Sequence, residues 1–157
     1  MLKYVDTLIT FSEIPNEISL CINLSGCPHR CKGCHSPYLW NDMGEPLEFH
    51  VLDTLIRNNQ GISNVCFMGG DNDIPRVLDL VDRVKKVHHL NTAVYSGNDL
   101  LPSVYETNNN LDYIKIGRYI EELGPLTSEY TNQKMYKRVD GKLIDITSEF
   151  WKKPMEG

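Results

Sequence analysis

The sequence predicts an α/β protein: a partial (β/α) barrel with a mostly parallel sheet, plus a small C-terminal hairpin. Three observations predict it. Short apolar runs, Ile18 to Leu24, Asn64 to Met68, Thr92 to Tyr95 and Tyr113 to Ile116, each stop at glycine or at a serine-glycine turn. Stretches of helical periodicity lie between them, and strands alternating with helices imply βαβ units and parallel pairing. The 157 residues fit one domain, residues 1–157 with a core over about 18–125. A complete (β/α)8 barrel needs roughly 200 residues or more, which leaves room for about four to six parallel strands.

Taken in order, Tyr4 to Thr10 reads as a peripheral strand. Ile18 to Leu24 is a second strand that delivers the chain through Ser25-Gly26 into a cysteine-rich loop. Leu52, Leu55 and Ile56 recur at helical spacing before the strand Asn64 to Met68, which ends in Gly69-Gly70-Asp71. The clearest helix follows, because Ile74, Val77, Leu78, Val81 and Val84 share one face, with Asp73 as N-cap and Pro75 in the first turn. His88 and His89 form its polar end. Thr92 to Tyr95 stops at Ser96-Gly97, and a short helix is expected over Asp99 to Glu106. Tyr113 to Ile116 stops at Gly117-Arg118, and Met135 to Val139 and Lys142 to Ile146 flank Asp140-Gly141, a two-residue hairpin signal.

In a parallel sheet, ligands bind at the carboxyl ends of the strands. The cysteine loop, Gly69-Gly70-Asp71, Ser96-Gly97 and Gly117 are therefore expected along one edge. The net charge of -5 argues against chain-wide affinity for nucleic acid, which relies on clustered Lys and Arg. The amino terminus lacks a signal-peptide pattern and no apolar run is long enough to span a membrane, so a cytoplasmic protein with neither nucleic-acid nor membrane partner is expected. Five cysteines without an export signal favour a metal or redox site over a disulfide scaffold.

Three of the five, Cys27, Cys31 and Cys34, stand in a C-x3-C-x2-C run. Three thiolates can hold three corners of a cubane iron-sulfur cluster and leave the fourth iron open to a small molecule. The competing reading is a zinc knuckle with His29 or His35 as fourth ligand. For Gly69-Gly70-Asp71 the alternatives are ligand contact or a plain turn, with Asp71 capping the next helix. Cys21 and Cys66 fall inside strands, where buried thiols act as small apolar groups.

Ser25-Gly26-Cys27 leading into Cys31 and Gly33-Cys34, then Gly69-Gly70-Asp71, Tyr95-Ser96-Gly97 and Asn132-Gln133, together resemble the radical S-adenosylmethionine superfamily. Within it the chain is most similar to the activating proteins of glycyl-radical enzymes, the small activating component of anaerobic ribonucleotide reductase above all. The resemblance spans about Ile18 to Val139. It departs at His35, where Tyr is common, and at Met68, where Ser often precedes the two glycines.

That resemblance implies a [4Fe-4S] cluster on Cys27, Cys31 and Cys34. It places S-adenosyl-L-methionine against Gly33, Cys34, His35, Gly69, Gly70, Asp71, Ser96 and Gly97. It implies reductive cleavage of that cofactor to a 5'-deoxyadenosyl radical, which takes a hydrogen atom from a glycine of the large reductase subunit. A low-potential electron donor such as flavodoxin is the second implied partner. No side chain serves as catalytic acid or base in this scheme. Another glycyl-radical enzyme or a small molecule remains an alternative substrate.

Overall fold

A computed structural model describes residues 2–26 and 44–151; Cys27, Cys31, Gly33, Cys34 and His35 lie outside the described residues. One eight-stranded sheet organises the chain, in the order β3-β1-β2-β4-β5-β6-β7-β8. Its strands are β1 (Lys3–Thr10), β2 (Ser19–Leu24), β3 (Glu45–Pro46), β4 (Asn64–Met68), β5 (Asn91–Tyr95), β6 (Tyr113–Ile116), β7 (Lys134–Val139) and β8 (Lys142–Asp145). The helices are α1 (Phe49–Arg57), α2 (Ile74–Arg83) and α3 (Ser103–Glu106).

The expected parallel core is present as β2-β4-β5-β6. The expectation of a mostly parallel sheet is corrected at both sides: β1 and β3 pair antiparallel on one flank, β7 and β8 on the other. Short reversing connections join β1 to β2 and β7 to β8, and a parallel pair would need a long crossover instead. Among the described residues the sheet is open, with β3 and β8 at its two ends. The amino-terminal strand and the hairpin are thus members of the main sheet. The hairpin turns at Asp140 and Gly141, both at positive φ, as a two-residue turn of matching twist requires.

Alternation along the central strands builds two cores. Leu20, Ile22, Val65, Phe67, Val94 and Ile114 pack under α1 and α2 against Leu52, Val77, Leu80 and Val81. The opposite face carries Cys21, Cys66, Ala93, Tyr95, Tyr113 and Met135, covered by Ile14 and Leu126. Strands buried on both faces explain why these runs read as continuously apolar. Cys21 and Cys66 are in-register neighbours on β2 and β4, and burial pushes the Cys66 thiol up from its ordinary value.

Helix boundaries follow local chemistry. The Asp73 carboxylate accepts from the Arg76 N–H at 3.3 Å, so Asp73 caps α2. Helix α3 begins only at Ser103, shorter than expected from Asp99, because Pro102 holds an extended conformation at its start. After α2 the chain makes a π-helical turn, Val84–His88, ended by His89 in the left-handed region.

His88 is therefore more than a polar helix end. Its Nε2 lies 2.8 Å from Asp53 Oδ1, and Arg83 grips the same carboxylate through Nε at 3.3 Å and Nη2 at 2.6 Å. The Arg83 hydrogen bond is the largest cause holding Asp53 down to about 2, from an ordinary 3.8. A depressed carboxylate stabilises the fold above its unfolded-state pKa, and that contribution is lost as pH falls through the folded value. Urea midpoints are expected to fall between pH 4 and pH 2 in the wild type, and this part of the slope should vanish in Asp53→Asn. An unchanged slope would remove Asp53 from the account.

Candidate functional site

The carboxyl ends of the neighbouring strands β4 and β5 bring five of the expected ligand residues together: Gly69, Gly70, Asp71, Ser96 and Gly97. Gly69 extends the β4 ladder by donating its N–H to the Tyr95 carbonyl at 3.0 Å. Ser96 does the same across the next strand, donating to the Lys115 carbonyl at 2.8 Å. Strand register thus fixes three successive exit loops side by side.

Asp71 joins two of these loops. Its carboxylate accepts Ser96 Oγ–H at 2.6 Å, the Gly97 N–H at 2.8 Å and Asn98 Nδ2–H at 3.3 Å. Asp71 does not cap α2, since Asp73 fills that role. The sequence signal for the bridge was only the proximity of a carboxylate to Ser-Gly in a neighbouring loop. Asn98, the third donor, was missed for want of any motif.

The two glycines have different reasons. A Cβ on Gly70 would stand 2.4 Å from Val77 Cγ2 and 3.1 Å from Leu24 Cδ1, at a φ of +93°. Gly70 is thus required by close approach of α2 to the sheet, and its carbonyl accepts the Asp73 N–H at 3.0 Å. A Cβ on Gly69 would meet nothing nearer than the Leu24 carbonyl oxygen at 3.5 Å. Packing excludes a side chain at Gly70, whereas at Gly69 a Cβ would make only ordinary contact with Leu24.

The last described residue before the cysteines lies on the same edge. A Cβ on Gly26 would stand 3.0 Å from Asn72 Nδ2, in the turn that follows Gly69-Gly70-Asp71. Gly26, the residue that precedes Cys27 in the sequence, therefore lies directly beside that turn. Among the described residues no group of three His, Cys, Asp or Glu could hold a metal. Three soft sulfurs at the spacing of Cys27, Cys31 and Cys34 suit iron-sulfur chemistry.

A model of the family described as "4Fe-4S single cluster domain" matches residues 18–140. The chain belongs to the 4Fe-4S single cluster domain family. No curated protein and no solved structure matches it. Membership in this family supports iron-sulfur binding by the chain over the zinc reading. The matched span of this 4Fe-4S domain covers the cysteine run, all four parallel strands and the exit loops just described.

Beneath the edge, on the face away from the helices, one register row holds Asn23, Met68, Tyr95 and Lys115. Lys115 Nζ lies 5.0 Å over the Tyr95 ring, and the Tyr95 hydroxyl lies 2.9 Å from the Glu13 carbonyl oxygen. Burial raises the Tyr95 hydroxyl well above its ordinary value, so it stays protonated. This floor of the 4Fe-4S domain was invisible as a motif because its residues are contributed singly by four strands. The last inward position of each strand was the available signal. Among the described residues no helix is long and apolar enough to cross a membrane.

Proposed function

We propose that the protein is a cytoplasmic radical S-adenosylmethionine enzyme that activates a glycyl-radical partner, the large subunit of an anaerobic ribonucleotide reductase. One observation carries the reading: in a member of a 4Fe-4S family, Gly26, which leads in sequence into a three-thiolate run, lies beside the Gly69-Gly70-Asp71 turn at the carboxyl edge of parallel strands. Three thiolates would leave one iron of a cubane without a protein ligand and so available to a molecule that brings its own donors. The parallel core with open flanks is read as the partial barrel of such an enzyme.

Cys27, Cys31 and Cys34 would hold the cluster, which would supply the electron for reductive cleavage of the sulfonium of S-adenosylmethionine. The residues of this chain bind and orient. The Gly70 carbonyl is engaged by Asp73, so the Gly69 carbonyl is the acceptor we assign to the cofactor's ammonium. Asp71 holds the Ser96-Gly97 loop beside it, and Gly33 and His35 flank the third ligand, Cys34. The apolar and protonated floor of Met68 and Tyr95 keeps bulk water from the reacting centre. No proton transfer by a side chain is required.

The test is anaerobic mixing of reconstituted protein with dithionite, S-adenosylmethionine and the large reductase subunit. A glycyl doublet in the electron paramagnetic resonance spectrum of the large subunit is expected. Cofactor cleavage without that doublet would reassign the partner, and a different glycyl-radical enzyme or a small molecule would then be sought.

A further inference from the structure

The pair Asn132-Gln133, just before β7, has no part in the scheme above, yet both side chains reach the carboxyl edge. The turn Gly117-Arg118 leaving β6 has four backbone polar groups, and other loops engage all four. The Gly117 N–H donates to the Asn98 carbonyl at 2.6 Å, and the Arg118 N–H donates to Asp99 Oδ1 at 3.4 Å. The Gly117 carbonyl accepts Gln133 Nε2–H at 3.3 Å, and the Arg118 carbonyl accepts Asn132 Nδ2–H at 3.1 Å.

Packing reinforces these bonds. A Cβ on Gly117 would stand 3.0 Å from Gln133 Cα and 3.3 Å from the Asn132 carbonyl oxygen, at a φ of +100°. Gln133 is buried. Water satisfies the backbone of an ordinary surface loop, so two side-chain amides from a separate segment are not needed merely to pair these carbonyls. They fix the turn in one geometry.

The fixation passes onward. Asn98, whose carbonyl receives Gly117, donates its side chain to Asp71 and its N–H to Ser96 Oγ. A continuous hydrogen-bonded belt therefore runs from Asn132-Gln133 through Gly117-Arg118 and Asn98 to Asp71. We propose that Asn132 and Gln133 are positioning residues of the ligand site, acting through this belt on the Asp71 loop. The inference rests on the S-adenosylmethionine reading above.

The test is a double-mutant cycle on the Kd for S-adenosylmethionine, with the full chain carrying its cluster under anaerobic conditions. Asp71→Asn and Gln133→Leu are each expected to weaken binding about tenfold, and the double variant to fall about fivefold or more short of the product, because groups in one network couple. Iron content and thermal midpoints are recorded alongside. If Gln133→Leu does not fold, Gln133→Glu, which keeps the shape and removes the donor, replaces it in the cycle.

Effects that multiply, or a Gln133 variant with a lowered midpoint and unchanged Kd, would overturn the inference while leaving the function intact. A wild-type protein that binds the cluster but no S-adenosylmethionine would overturn both.

Discussion

Alanine at Cys27, Cys31 or Cys34 is expected to abolish the iron-sulfur chromophore and bring cleavage of S-adenosylmethionine to background, whereas Cys66→Ala keeps both. A cubane held by three thiolates has no spare protein ligand, so loss of one leaves two irons uncapped. Cys66 lies on the far face of β4, fully buried beside Cys21, and behaves as a small core group. Iron and sulfide analysis with visible absorption reads the outcome, with about four irons per wild-type chain. Loss of the cluster in Cys66→Ala together with its retention in Cys34→Ala would contradict the ligand assignment.

Gly70→Ala is expected to destabilise the fold by about 3 kcal/mol or more, summing a left-handed φ with overpacking. Its Cβ would meet Val77 Cγ2 at 2.4 Å, and α2 would have to move off the sheet. Gly61→Ala is the control. It shares the conformation, with φ of +92°, but nothing stands within 4 Å of its Cβ, so strain alone applies, about 1 kcal/mol. Denaturant unfolding of both variants reads the difference. Equal losses would show that strain rather than helix contact makes Gly70 necessary, and would free its role for the ligand.

How far the sequence revealed this arrangement depended on the range of the interactions. The parallel strands and α2 were legible because apolar periodicity and the Asp73 cap are local. The antiparallel flanks were not, since Lys3–Thr10 and Lys134–Val139 carry no mark of which strand they will join. β3, two residues long, has no periodicity at all. Gathering of Gly69, Asp71 and Ser96-Gly97 on one edge followed from strand direction alone. What Asp71 binds did not, because a carboxylate two residues before a helix cap looks like part of the cap. Asn132-Gln133 was visible as a pair but not as an anchor. Its partners, Gly117 and Arg118, belong to another strand's exit.

The central claim is that an open cluster beside Gly69 cleaves S-adenosylmethionine. The most direct measurement is single-turnover product analysis of the anaerobically reconstituted protein, reduced with dithionite and supplied with S-adenosylmethionine. Equimolar methionine and 5'-deoxyadenosine, formed only after reduction, are the expected result. A brown, iron-replete protein that yields neither product would contradict the account.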